Sequence, residues 1–253
     1  VREPPRGWSD PPGLATSARN GIGFTFRLLL GKPSFWYMTV AASLVAMVGY
    51  GYAAFQAPMM QRLHGMPPGE FAVRFGVPLS AAGAIGTIAA GYLTAALIRR
   101  SIRWVALLPA LLLLGATLLY LLAFGVVADD LQLAFWSWVT AMLLHYGYLG
   151  AQYTIGQGVV PQSSRASAIA ILLFIIALVG NGVGPQLIGF LSDTFIALGL
   201  EARGFGGVLD ASDCNPKVAG LLTAAQQAVC GAAYAEGLRN SMRVTALFLL
   251  VAA

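Results

Sequence analysis

Apolar runs long enough to cross a bilayer recur along this chain, and they restrict it to helices that satisfy their own backbone hydrogen bonds. The stretch from Leu131 to Asp193 shows the pattern best: an aromatic-rich apolar run, a break at "PQSSRAS", and a second apolar run that ends in "GNGVGPQLIGFLSD". The break carries Arg165 without a nearby acid. Because cytoplasmic turns are enriched in Lys and Arg, the two runs predict a membrane hairpin with a cytoplasmic turn.

Composition places the whole chain in a membrane. Of its residues, 58% are hydrophobic and 10% are charged, with a mean hydropathy of +0.74, whereas soluble domains have about 25% charged residues. The net charge of +5 comes from basic residues spread over short loops, which argues against nucleic acid as a partner. We find no motif of an enzyme, a metal site or a cofactor site, and "GNGVGP" lies inside an apolar span rather than after a strand.

The apolar pattern predicts an all-α, polytopic membrane bundle. A linker and pre-helix segment, 1–34, precedes spans at about 35–60, 77–98, 104–127, 131–160 and 166–191. A sixth span begins near 238 and stops at 253, after roughly half the length that a crossing requires. Because the chain also begins with Val1, we expect a piece of a longer protein. The polar segment 201–237 predicts a long outer loop, and the span at 104–127, apolar all round, is expected to face lipid.

Basic residues mark one side of the predicted bundle as cytoplasmic. The linker and the turns after the second and fourth spans hold nine Lys and Arg against two acids, and the other eight acids lie on the opposite side. The positive-inside rule therefore predicts a cytoplasmic linker and an outer loop outside a bacterial inner (plasma) membrane. Cys214 and Cys230 both fall in that loop, where an oxidising compartment favours a disulfide. Two free thiols in a mobile loop are the alternative.

Several stretches carry a family resemblance. "GYLTAALIRRSIRW" is similar to the second-half version of the loop signature of the major facilitator superfamily, although Ala95 stands where the family has an acid. "FQAPMMQRLHGMPPGEF", "RASAIAILLFIIALVGNGVGPQLIGFLSD" and the opening "REPPRG" resemble the Spinster-like branch of that superfamily. The signature residues that match are Gly91, Leu93, Leu97, Arg99, Arg100 and Arg103. The resemblance covers nearly the whole chain and implies its carboxy-terminal six-helix half.

Such transporters rock two six-helix bundles around a midplane site. The resemblance therefore implies a secondary transporter that moves a small organic or amphipathic solute by alternating access, with a proton gradient as its driving force. For the Spinster-like branch it implies a lipid-like substrate. Membrane lipids and the missing N-terminal six-helix half are the expected partners, and the coupling carboxylates would lie in that half. A non-transporting membrane subunit or scaffold is the alternative.

The span at 131–160 carries the first set of candidate pathway residues. His145, Tyr148 and Gln152 share one helical face, and Tyr146 and Tyr153 belong to a second polar line beside it. Because polar side chains facing lipid are costly, this side is expected to face a cavity or the bundle interior. His145 would either contact substrate or protons, or remain a neutral histidine that is hydrogen-bonded to a neighbouring helix.

Two other spans carry further candidates. Tyr50 and Gln56 lie in the outer part of the first span, next to Pro58, where we expect the helix to bend or unwind. Anchoring of the tyrosine at the membrane interface is the alternative. Asn181 and Gln186 flank the break at Pro185, with packing through the nearby glycines as the alternative. The predicted gate and loop residues are Arg99, Arg100, Arg103, Arg165 and Pro185.

Overall fold

The computed structural model describes residues 21–214 and 222–253, and all regular elements within these ranges are helical. The short 3₁₀ turns and one π-helical turn connect or interrupt longer α-helices. In chain order the elements are α1 (Ile22–Leu30), α2 (Pro33–His64), α3 (Pro68–Phe71), a π turn (Ala72–Gly76), α4 (Val77–Ile98), α5 (Trp104–Val126), α6 (Leu131–His145), a 3₁₀ turn (Tyr146–Tyr148), α7 (Leu149–Gly158), a 3₁₀ turn (Gln162–Ser164), α8 (Arg165–Ala202), α9 (Ala224–Ala246) and α10 (Phe248–Ala252).

Four helical segments of the described chain are long and apolar enough to cross a membrane: Pro33–His64, Pro68–Ile98, Trp104–Val126 and Gln162–Ala202. The remaining two predicted crossings correspond to α6–α7, which is interrupted, and to α9–α10, which begins in a polar sequence. The chain is therefore an integral, multi-pass membrane protein. The long helices pack as one bundle, whose largest contacts join α2 to α8, α8 to α9, and α5 to α6.

Of the two outcomes predicted for the outer part of α2, a bend or unwinding, unwinding does not occur, because the helix continues through Pro58. It begins at Pro33, where the missing N–H costs nothing, and ends at His64, where Gly65 follows as the C-cap with a φ of 64°. The proline removes one backbone hydrogen bond, but the next two residues, Met59 and Met60, have no exposed surface, and their packing holds the helix together.

The predicted helix 131–160 is interrupted at its centre by the 3₁₀ turn Tyr146–Tyr148. Small residues of α4 allow the end of α6 and this turn to pack closely against α4, since a Cβ placed on Gly86 would collide with the carbonyl oxygen of Leu143. One turn later, a Cβ on Gly147 would collide with Leu112 and meet Ala90. The stripe of small residues on the second span, predicted to allow close helix packing, therefore lies against the α6–α7 break.

Helix α8 is a single long helix whose buried stripe winds around its axis. Its buried residues recur every fourth position from Ala168 to Leu200, and four residues advance about 40° past a full turn. The packed face consequently changes direction along the helix, which contacts α2 and then α9. Pro185 lies inside this helix and does not end it.

The long outer loop is shorter than predicted. Helix α9 begins at Ala224 rather than near 238, and a capping box between Thr223 and Gln226 satisfies its first backbone groups. The ends of α8 and α9 enclose a second small apolar cluster, with Ile196, Leu200 and Leu209 at its centre. A disulfide joins Cys214 to Cys230 within that cluster. We call this end of the bundle the disulfide end.

Candidate functional site

The crossing of α2 and α8 places backbone against backbone. A Cβ on Gly184 would collide with the carbonyl oxygen of Met47 and lie 3.1 Å from the nitrogen of Gly51. One turn away, a Cβ on Gly180 would lie 2.7 Å from the ring of Tyr50. Gly180 and Gly184 thus serve packing, the alternative role that the sequence left open for the glycines of this span, and Gly180 makes room for the ring of Tyr50.

His145 lies at the centre of the bundle, at the last residue of α6. It is 2% exposed, and its imidazole is hydrogen-bonded to the backbone of Val45 on α2. The absence of a side chain at Gly49 makes room for it, since a Cβ there would lie 3.3 Å from Nε2. Its ring packs edge-on against Tyr120 of α5 with centroids 5.8 Å apart, while Nδ1 has no protein partner among the described residues.

Four tyrosines form a cluster beside His145, which we call the tyrosine cluster: Tyr50, Tyr146, Tyr148 and Tyr153. Tyr148 lies within electrostatic range of the other three side chains, and the rings of Tyr146 and Tyr148 lie 5.4 and 6.3 Å from that of His145. Tyr50 and Tyr153 are 43% and 39% exposed, whereas Tyr148 is 7% exposed. The cluster therefore leads from an exposed surface of the bundle to the buried histidine.

Two glutamines near this region hold unpaired polar atoms. Gln152, one turn after Tyr148, is 1% exposed, and its Oε1 has no hydrogen-bond partner within the described residues. The Oε1 of Gln56 on α2 is likewise buried and unpaired. Because a buried unpaired oxygen is costly, such atoms indicate a water, a ligand or a polar neighbour that the described chain does not supply.

The candidates on α8 are not brought into this site. Asn181 and Gln186 are exposed on the helix surface, away from the buried stripe that contacts α2. Pro185 is half-buried beside Gly184 at the α2–α8 crossing. Tyr146 belongs to the site, and its position after His145 in a second polar line was the signal that pointed to it.

The predicted gate arginines lie at the opposite end from the disulfide. Arg99, Arg100 and Arg103 are exposed in the tight turn between α4 and α5, and Arg165 is exposed at the start of α8. None of them forms a salt bridge within residues 21–214 and 222–253. Ala95, at the acid position of the loop signature, is also exposed. The structure thus gives these arginines an accessible surface without an acidic partner on the described chain.

A large groove approaches the site from that same end. It has a volume of about 1420 Å³ and is lined by the first half of α2, the first half of α5, α7 and the last residues of the chain. Trp36, Tyr37 and Tyr148 contribute aromatic surface, and Val45 and Leu113 contribute apolar surface beside Tyr148. One wall of the groove is therefore shared with the tyrosine cluster.

The disulfide end is held by charged contacts between helices. The guanidinium of Arg62 lies 3.6 Å from the ring centroid of Tyr234, which joins α2 to α9. Arg203 forms a salt bridge of 2.8 Å with Glu236 and so joins α8 to α9. Among the described residues, no group of three or more His, Cys, Asp or Glu side chains could hold a metal ion.

Comparison with solved structures identifies the relatives of this fold. The chain is 41% identical to a bacterial homologue of the human lysosomal transporter Spinster in an inward-facing, unoccupied conformation, with a TM-score of 0.82. It is 39% identical to such a homologue in an inward-facing, occupied conformation, with a TM-score of 0.75. Both matches cover 100% of this chain but 53% and 51% of the neighbours, so the chain spans about half of their length.

The chain is Spinster-like and has the fold of one half of a major facilitator superfamily transporter. No protein-family model and no curated protein matches it. The likeness to the Spinster homologues extends over the complete bundle, so α2–α10 match one half of the fold of those neighbours. The tyrosine cluster and His145 are the polar side chains that this bundle brings together near its centre.

Proposed function

We propose that this chain is the carboxy-terminal half of a secondary active transporter that moves a small organic or amphipathic solute by alternating access. The observation that carries the proposal is the whole-chain likeness to Spinster transporter homologues, with 41% identity. The polar line from Tyr50 and Tyr153 to the buried His145 supports it, because polar groups at membrane depth are retained where they line a pathway.

The residues suit a substrate that is partly apolar. In our proposal the aromatic faces of Tyr50, Tyr148 and Tyr153 contact the apolar part of the solute. The unpaired Oε1 of Gln152 and Nδ1 of His145 supply one acceptor and one donor or acceptor. A lipid-like or other amphipathic molecule combines both kinds of surface, so it is the proposed substrate class.

Coupling to protons requires a titratable group that changes partners during the cycle. Within the described helices, the buried side chain of this kind near the tyrosine cluster is His145. We place the main carboxylates in the absent amino-terminal half and give His145 the role of a hydrogen-bonding partner for substrate or for those groups. The gate role of Arg99, Arg100, Arg103 and Arg165 belongs to the same proposal: their free guanidinium groups would bind acids of that half when the inner side closes.

Transport in proteoliposomes tests the proposal. A thermal-shift screen of lysolipids, organic acids, sugars and drugs on the complete transporter first selects a stabilising solute. Uptake of that solute is then followed with and without an imposed pH gradient. We expect gradient-driven uptake, and we expect His145→Gln to reduce it by about tenfold or more and to change its pH profile.

The control is His64→Gln, because His64 is exposed at the end of α2 and bonds only the carbonyl oxygen of Val127 among the described groups. That variant should transport normally. Unchanged uptake and an unchanged pH profile in His145→Gln would remove His145 from the pathway. Absence of uptake for all stabilising solutes would contradict the transporter proposal itself.

A further inference from the structure

Helix α9 carries two arginines that the transport pathway does not use, Arg239 and Arg243. They are one helical turn apart and share a face, an arrangement that is destabilising for like charges unless something neutralises them. Neither forms a salt bridge within the described residues, and the Nε of Arg239 is buried without a partner. The nearest acid along α9, Glu236, is paired with Arg203.

Both arginines lie in the second half of α9, beyond its contact with α2 at the disulfide end. Tyr234 packs against Arg62 at the disulfide end of α2, and Arg243 lies nine residues further on, a distance of about 13 Å along a helix. The neighbouring residue Met242 accepts a hydrogen bond of 2.9 Å from Tyr52, within the long span α2. Since one leaflet of the hydrocarbon core is about 15 Å thick, this position beside α2 would place Arg243 at acyl-chain depth on the disulfide side.

A small groove opens beside Arg243. It has a volume of about 320 Å³ and is almost entirely apolar, and its lining residues are Leu121, Phe195, Asn240, Arg243, Val244 and Leu247. It borders the apolar, exposed stripe of α5, which includes Leu114, Leu118 and Leu122. A stripe of this kind is typical of a lipid-facing helix.

The direction of α9 allows the guanidinium groups of Arg239 and Arg243 to extend toward the lipid head groups. Helical side chains tilt toward the amino terminus of their helix, and the amino terminus of α9 is at the disulfide end. Long side chains can extend in that direction and keep their stems in the acyl region. Guanidinium groups bind phosphate through paired hydrogen bonds, and a nearby amide adds another donor.

We propose that this groove binds an anionic phospholipid from the leaflet on the disulfide side. Its acyl chain would lie against Leu121 and Phe195, and its phosphate would accept hydrogen bonds from Arg243 and Asn240. Arg239, one turn nearer the head groups, would be neutralised by the same lipid. The site is separate from the tyrosine cluster and does not depend on the transport proposal.

Thermal unfolding of the purified protein in detergent tests this site with dioleoyl phosphatidylglycerol as the probe. Dioleoyl phosphatidylcholine provides the zwitterionic comparison, and glycerol 3-phosphate provides the head-group chemistry without acyl chains. We expect phosphatidylglycerol to raise the melting temperature most. Arg243→Gln should raise the half-saturating concentration of that lipid by about tenfold, and Arg239→Gln should raise it by a smaller factor.

Arg74→Gln is the matched control, because Arg74 is an exposed arginine in the π turn between α3 and α4 and pairs with Glu70. It should leave the lipid response unchanged. Counting bound lipids by native mass spectrometry provides a second readout if Arg243→Gln melts too early for a titration. Equal effects of the two phospholipids, an effect of glycerol 3-phosphate alone, or wild-type lipid binding by Arg243→Gln would each overturn the proposal.

Discussion

At the scale of single residues, the site is defined by polar atoms whose partners are missing. Gln152 and His145 are both almost completely buried, and each keeps one polar atom unpaired within the described chain. The sequence identified both residues, because polar side chains at helical spacing in an apolar span are uncommon and costly. It could not identify which atoms are left unpaired, since that depends on Val45 and Gly49 of another helix.

Replacing Gln152 tests whether its unpaired oxygen serves the substrate. We expect Gln152→Ala to weaken binding of the solute about 2- to 12-fold, the equivalent of one hydrogen bond of about 0.5–1.5 kcal/mol. Titration of the transporter with the solute selected above, by calorimetry or thermal shift, measures the change. Gln157→Ala is the control, because Gln157 is exposed on the same helix. Equal affinities in all three proteins would make Gln152 a packing residue.

At the scale of elements, the α6–α7 break is the main feature that local sequence rules did not predict. Its sequence, "HYGYLG", is compatible with a continuous apolar helix, and the predicted span 131–160 treats it as one. The break follows from the close approach of α4, whose residues Gly83, Gly86 and Ala90 meet Tyr146, Leu143 and Gly147. Such contacts depend on which helices become neighbours, and that information is not contained in either helix alone.

Two glycines on α4 provide a matched test of this contact. A Cβ at Gly86 would collide with the backbone of Leu143, whereas a Cβ at Gly91 would meet nothing within 4 Å. We expect Gly86→Ala to destabilise the protein by about 1–3 kcal/mol, as overpacking does. Gly91→Ala should be neutral or stabilising by up to about 1 kcal/mol, since alanine favours helix. Melting temperatures in detergent measure both, and equal melting of the two variants would contradict the α4–α6 packing.

At the scale of the whole molecule, the disulfide end and the arginine end differ in chemistry. One end carries exposed basic turns, and the other carries the disulfide, the Arg203–Glu236 salt bridge and most acids. This asymmetry favours a periplasmic location for the disulfide end. A crosslink that closes a loop of this size contributes about 3 kcal/mol in the chain-entropy model, so its reduction should also lower the melting temperature.

Labelling of intact cells with a membrane-impermeant maleimide tests both the disulfide and the orientation. We expect Cys214 and Cys230 to react only after treatment with an impermeant reductant followed by denaturation. The control is Thr223→Cys in a background with both native cysteines changed to serine, because Thr223 is exposed at the same end. It should react without reductant. Labelling of the native cysteines without reductant would contradict the disulfide, and labelling of the control only after cell lysis would contradict the orientation.

Helix α9 shows which part of a membrane helix an apolar sequence pattern can predict. Its first half, "AAQQAVCGAAYAEG", is too polar for a membrane span, so the sequence predicted a loop up to 237. The structure extends α9 back to Ala224 because the capping box at Thr223 begins the helix and the end of α8 supplies the packing surface. Hydropathy detects the part of a helix that lies in lipid and misses the part that packs outside it.

The sequence alone determined that this chain crosses a membrane repeatedly as helices, because backbone groups in hydrocarbon must pair within their own segment. It also determined the small-residue stripes and the polar face of His145, Tyr148 and Gln152. Only the tertiary structure decided which of these faces meet. The span at 104–127, apolar all round and expected to face lipid, exposes one leucine stripe but buries Tyr120 and Phe124 against Tyr52 of α2. Apolar side chains suit lipid and protein equally, so hydropathy cannot distinguish the two surroundings, whereas packing geometry does.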